Sequence, residues 1–145
     1  MTRLEISKVP ASRHSKVAEK IEDALLSSLA EMNEQSVNSS VVMQVTDEND
    51  RLIAGVTGAT SYGWFLIKTL WVGEAHRRSG LGTQLMSAAE DEARRLGCHS
   101  AWLDTSTSEA REFYLQLGYA DFGVLKNGAE KEPANHSRWF MQKSL

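Results

Sequence analysis

The sequence predicts a mixed α/β fold built as one domain over residues 1–145. Three observations predict it. Short β-rich runs alternate with segments of helical apolar period, glycine or polar clusters punctuate nearly every junction, and one almost wholly apolar run, WFLIKTLWV, sits mid-chain. A chain of 145 residues can bury one sizeable core, and no repeat, low-complexity tract or linker divides it.

Arg3–Val9 alternates weakly and reads as a short strand ended by Pro10. Val17, Ile21, Leu25, Leu29 and Met32 recur at helical spacing, which predicts an amphipathic helix over Lys16–Met32. After the polar loop Asn33–Ser40, Val41–Glu48 and Arg51–Thr60 flank Asn49-Asp50 and predict a hairpin. Trp64–Val72 reads as a central strand covered on both faces. A long helix follows with Leu81, Leu85, Ala88, Ala89, Ala93 and Leu96 on one side and Gly97 as its C-terminal stop. His99–Thr105 predicts a strand. Ser108 then predicts the N-cap of a short helix with the stripe Ala110, Phe113, Tyr114, Leu117, ended by Gly118. Tyr119–Leu125 and His136–Lys143 complete the strands, either side of the polar loop Lys126–Asn135.

Composition excludes several classes. A net charge of −3 argues against general nucleic-acid affinity. The lone Cys98 rules out an intramolecular disulfide framework, and the histidines His14, His76, His99 and His136 show no metal spacing, so no metal is expected. The N-terminal stretch has no apolar run for a signal peptide, and nothing approaches a bilayer span, which excludes a membrane partner. A soluble protein of the reducing cytoplasm is the resulting expectation, with a homodimer left open.

The central question is RRSGLGTQL, Arg77–Leu85, where two glycines two residues apart open a helix. Uncapped helix N–H groups, glycine backbone and arginines suit a phosphate. A P-loop needs four residues between its glycines and a following lysine, neither of which is present. A dinucleotide fingerprint would put its third glycine at Leu85.

Arg77-Arg78-Ser79-Gly80-Leu81-Gly82 resembles the Q/R-x-x-G-x-G/A motif of the GNAT family of N-acetyltransferases. Ala110–Tyr119 resembles that family's A-x-x-x-Y-x-x-x-G-F/Y segment. The resemblance covers Arg77–Tyr119 in motif and nearly the whole chain in element order. It implies a GNAT fold, a mixed splayed sheet with helices on both faces, and acetyl-CoA as co-substrate. It further implies that Leu70, Trp71 and Val72 pair their backbone with the pantetheine arm. The N–H groups of Arg78, Ser79, Gly80, Leu81, Gly82 and Thr83 would face the pyrophosphate, with Arg77 or Arg78 adding charge. Arg111 falls inside the second motif and belongs to the same expected cofactor set. Thr107 stands where the family often has Asn, and a hydroxyl cannot reproduce the amide's two-sided pairing.

Acetyl transfer to an amine needs an oxyanion donor and a proton for the departing thiolate. By resemblance these are the Val72 N–H and the Tyr114 phenol, whose reference pKa near 10 keeps it protonated at neutral pH. The base stays open. Leu66 occupies the strand position where some family members carry Glu, leaving Glu74, Asp104, His136 or a water chain. Cys98 reads as a structural thiol rather than an acyl carrier. Acidic residues in the early helix and its loop (Glu19, Glu22, Asp23, Glu31, Glu34), and Glu130 and Glu132 in the late loop, favour a small cationic acceptor. Alternatives are a protein amino group, a CoA-binding regulatory module without transfer, and an interaction protein using the acidic surface.

Overall fold

The computed structural model describes residues 3–145 and resolves into two compact units, one ending at Ser36 and one comprising Val37–Leu145. In the N-terminal unit the expected strand at Arg3–Val9 does not form, and Leu4 and Ile6 are fully exposed. A strand exists only through a ladder partner, and this segment has none among the described residues. Pro10 leads into a single 3-10 turn and then helix α1 (His14–Ala30). Its apolar stripe has the expected period, yet α1 buries none of its residues, and Ile21, Leu25 and Leu26 are exposed.

The second unit runs β1 (Ser40–Thr46), β2 (Leu52–Ser61), β3 (Trp64–Val72), α2 (Leu81–Arg95), β4 (Ser100–Thr105), α3 (Ser108–Gln116), β5 (Ala120–Lys126) and β6 (Ser137–Ser144). The strands form one sheet in the order β1-β2-β3-β4-β6-β5. All neighbours are antiparallel except β3 and β4, which are parallel and joined through α2. The β1–β2 hairpin is set by Asp47, whose Oδ1 accepts from the N–H groups of Asn49 and Arg51, both at 2.9 Å. Tyr62 and Gly63 both take positive φ (50° and 83°), the requirement of the two-residue turn that joins β2 to β3.

The core lies between the sheet and α2, with Val56, Phe65, Leu103 and Met141 meeting Leu85, Met86, Ala89 and Ala93. The buried face of α2 is rotated slightly from the expected stripe, with Met86 and Glu90 buried and Ala88 exposed. A buried carboxylate needs partners. Glu90 Oε2 accepts from the Tyr119 hydroxyl at 2.8 Å, and Lys143 Nζ lies 2.9 Å from Oε1. The cap of α3 is also one residue earlier than expected. Thr107, not Ser108, is the N-cap, and its Oγ1 accepts from Ala110 N at 3.2 Å.

The strand β3 departs most from its sequence reading. Phe65 and Ile67 are buried, but Lys68, Thr69 and Trp71 are exposed, so its second half is not covered on both faces. The cause is visible in the pairing. The β2–β3 register shifts between Thr57 and Gly58, leaving Lys68 unmatched as a bulge, and β4 pairs with β3 only from Trp64 to Leu66.

Candidate active site

Beyond Leu66, β3 and β4 part, and a cavity of about 1100 Å³ opens there. The backbone of β3 supplies one wall. Gly73 N–H donates to Ile53 O at 2.8 Å, which fixes the phase of the ladder. Antiparallel pairs alternate between hydrogen-bonded and non-hydrogen-bonded, so Trp71 spends its main-chain groups on Gly55. Leu70 and Val72 turn theirs away from β2 towards the gap. Of the three residues expected to pair with an extended ligand, Leu70 and Val72 therefore have backbone directed suitably. Trp71 lines the cavity by its side chain.

The second wall is the glycine turn. Arg77, Arg78, Gly80, Leu81, Gly82 and Thr83 all line the cavity. Gly80 is the N-cap of α2 at φ 82°, so no side chain caps the helix, and its first turn contains no acidic residue. The first main-chain bond of α2 runs from Gln84 N to Gly80 O at 3.0 Å. The N–H groups of the preceding turn thus have no helical acceptor, and the dipole's positive end is uncompensated. Arg78 also adopts positive φ, at 63°, unusual for a side-chain-bearing residue. Left-handed residues two apart turn main-chain N–H groups towards a common point, a geometry that suits an anion. At Gly82 a Cβ would only reach ordinary contact, 3.4 Å from Phe113 Cζ and 3.7 Å from Val72 Cγ2, but a larger side chain would extend into the space beside the turn.

Helix α3 makes the third wall, through Thr107, Glu109, Ala110, Phe113 and Tyr114. Tyr114 is the buried residue of α3, held edge-on between Phe113 (centroids 5.1 Å) and Tyr119 (5.9 Å). Burial pushes its phenol above the ordinary value, and its oxygen is not an orphan sealed in the core, since no fully buried side-chain oxygen or nitrogen lacks a partner among the described residues. Thr107 Oγ1, already accepting from Ala110, keeps its own hydrogen to donate into the cavity.

Two expected cofactor contacts lie outside the cavity. The Ser79 side chain turns back, its hydroxyl donating to His76 O, which leaves the expected role of its main-chain N–H untouched. Arg111 is committed to Asp121, with Nη2–Oδ2 at 2.6 Å and Nε–Oδ2 at 3.0 Å, and stacks over Trp139. It ties α3 to β5 instead of reaching the turn. Cys98 is buried and burial raises its thiol, the surroundings of a structural cysteine. Among the expected base candidates, Asp104 pairs with Arg138 at 3.0 Å, and neither it nor His136 lines the cavity, whereas Glu74 does. His76, Glu109, Ala110 and Phe113 line it too, although the sequence had not marked them as site residues. The signal was available for two of them. Ala110 stands three residues before Phe113 and four before Tyr114, the spacing that makes helical residues neighbours. Among the described residues there is no group of three or more His, Cys, Asp or Glu that could hold a metal, and no helix long and apolar enough to cross a membrane.

A model of the acetyltransferase (GNAT) family matches residues 10–119. An acetyltransferase of Agrobacterium fabrum is 34% identical over 81 residues, 56% of this chain and 59% of that protein. Blasticidin-S acetyltransferase of Streptomyces morookaense is 34% identical over 73 residues, 50% of this chain and 54% of that one. The chain thus matches little more than half the length of each. The crystal structure of an acetyltransferase from Bacillus cereus superposes with a TM-score of 0.78 at 28% identity, over 98% of both chains. An aminoglycoside 6'-N-acetyltransferase solved with coenzyme A shares the fold, with a TM-score of 0.64 at 21% identity over 72% of both chains. The family model spans the parted strands, the glycine turn and Tyr114, and the chain belongs to the acetyltransferase (GNAT) family.

Proposed function

We propose that this protein transfers an acetyl group from acetyl-CoA to a primary amine by direct attack, and that the acceptor is small and cationic. One observation carries the reading. The outward-turned peptides of Leu70 and Val72, the uncapped start of α2 and the Tyr114 hydroxyl converge on one cavity. The fit to the cofactor is chemical: an anion cradle at one end and a strand edge for an extended arm, with a neutral proton donor on α3.

When bound, acetyl-CoA supplies an acyl group activated as a thioester. The main-chain N–H of Val72 donates to the negative charge that develops on the acyl oxygen. The uncharged form of the amine would attack; Tyr114, protonated throughout the neutral range, would give its proton to the departing sulfur, and the proton shed by the amine nitrogen would pass through water to restore the phenol. Leu70 orients the arm, and Gly80, Leu81, Gly82 and Thr83 hold phosphate through their N–H groups. Glu74 and Glu109, both lining the cavity, attract a cationic amine. A relative named for blasticidin S supports a small-molecule acceptor over a protein amino group.

Calorimetry with acetyl-CoA, followed by thiol release across cationic, neutral and anionic amines at two salt concentrations, tests this. The expected result is acetyl-CoA binding that Gly82→Val abolishes in a folded variant, and turnover fastest with cationic amines and weakened by salt. Binding without turnover on any amine would favour a regulatory CoA-binding module. A salt-independent preference for neutral or anionic acceptors would overturn the charge assignment.

A further inference from the structure

We propose that Arg77 is a positioning residue: its guanidinium anchors the Val72 carbonyl and thereby aims the Val72 N–H, rather than serving as a phosphate ligand. This rests on the acetyl-transfer reading above. Arg77 Nε donates to Val72 O at 2.9 Å across the loop that leads from β3 to α2. In an extended residue the N–H and C=O point to the same side of the strand, so a bond that fixes the Val72 carbonyl also fixes the direction of its N–H.

Elsewhere in the sheet a neighbouring strand does this work. At Val72 it cannot. Ladder pairing with β4 ends at Leu66, and the non-hydrogen-bonded phase of the β2 pairing leaves both main-chain groups of Val72 facing the gap. Without Arg77 that peptide would be held on one side only. The short loop is arranged to deliver the side chain. Gly73 N–H is pinned to Ile53 O, a 3-10 turn over Glu74–His76 reverses the chain, and Arg77 follows in extended conformation. The position therefore requires an N–H donor at a set distance from the main chain, and positive charge is secondary. A glutamine amide nitrogen stands the same number of bonds from the backbone as arginine Nε, without the charge. Lysine keeps the charge but places its nitrogen one bond further out.

The test compares Arg77→Gln, Arg77→Lys and Arg77→Met for binding of acetyl-CoA and of CoA, which lacks the acyl carbonyl. The preference for acetyl-CoA over CoA reads the Val72 N–H contact, while affinity for CoA itself reads the phosphate cradle. Arg77→Met is expected to lower the preference roughly fivefold, the scale of one net hydrogen bond, while CoA affinity holds within about twofold. Arg77→Gln should retain more of the preference than Arg77→Lys. The carbonyl stretch of bound acetyl-CoA should move to higher frequency in the methionine variant and back towards the unmodified value in the glutamine one. Equal weakening of both ligands in Arg77→Met, or better rescue by lysine than by glutamine, would show a phosphate role and overturn the assignment. If the unmodified chain binds neither ligand, the acetyl-transfer reading itself fails and this inference with it. Binding of both ligands with the wrong order of variants removes only the role of Arg77.

Discussion

Tyr114 meets three demands on a proton donor to a departing thiolate. It borders the cavity, its ring is clamped by Phe113 and Tyr119, and its oxygen is not sealed in the core as an unpartnered group. Burial raises its phenol above the ordinary value, so it gains no charge anywhere near neutral pH. Tyr114→Phe keeps the ring and its packing. We expect kcat to fall about 100-fold with acetyl-CoA affinity little changed. Steady-state kinetics alongside calorimetry would check both halves, and unchanged kcat between pH 6 and pH 9 would remove the residue from the mechanism. The same clamp links Tyr114 to a second tyrosine. Tyr119 is raised more strongly, by burial first and then by the charge of Glu90 beside its hydroxyl. A group whose folded pKa lies above its unfolded value contributes stability that is full below the unfolded pKa and lost as pH rises beyond it. Both tyrosines have that sign, and the unfolded value is near 10. The urea midpoint should therefore hold up to about pH 9 and decline steeply above about pH 10. In Tyr119→Phe the decline should be shallower, and an equal slope would place the alkaline sensitivity elsewhere.

At the level of elements, the opening between β3 and β4 begins beside a defect in the neighbouring ladder. Gly58 sits at the register shift where Lys68 is squeezed out of β3. A Cβ on Gly58 would lie 2.4 Å from the Phe65 ring and 2.5 Å from Leu66 O. The second contact is with main chain, which cannot rotate aside. Gly58→Ala must therefore shift β3 against β2 at the point where its partner on the other side ends. The expected cost is about 1–3 kcal/mol in urea unfolding, with a larger proportional loss of acetyl-CoA affinity than at Gly55→Ala. At Gly55 the closest atom to an added Cβ is Met43 O, at 3.1 Å, so the crowding there falls on β1 and not on β3. Equal effects at the two glycines would separate the bulge from the site. On the far side of the core, Glu90, Tyr119 and Lys143 tie α2 to the end of α3 and to β6. With Arg111–Asp121 they keep both helical walls of the cavity fixed to one sheet.

For the whole molecule, much was legible because local chemistry and tertiary packing agree. Gly63, Gly97 and Gly118 stop or turn the chain where their positive φ is required, and the apolar period of Leu85, Ala89 and Ala93 faces the core. What the sequence did not disclose depends on partners distant in the chain. The run WFLIKTLWV is apolar throughout, yet whether its second half has a neighbour is decided by where β4 stops, and no residue in the run encodes that. Glu90 reads as a surface glutamate until Lys143 and Tyr119 arrive from other elements. The Arg77–Val72 contact is local in sequence, but its meaning depends on the missing ladder. At Arg3–Val9 alternation alone predicts a strand, and such a pattern promises one face but supplies no edge to join. That missing ladder should also be visible to solvent. In the ligand-free protein, deuterium should enter β3 in alternation, slowly at Trp71 and quickly at Leu70 and Val72. Few strands outside a sheet edge give such a sawtooth, since most central amides are bonded. Acetyl-CoA should flatten it, slowing Leu70 and Val72 and leaving Trp71 unchanged. Residue-resolved exchange by NMR would then record the cofactor as a transient strand that fills the gap between β3 and β4 for the length of one turnover.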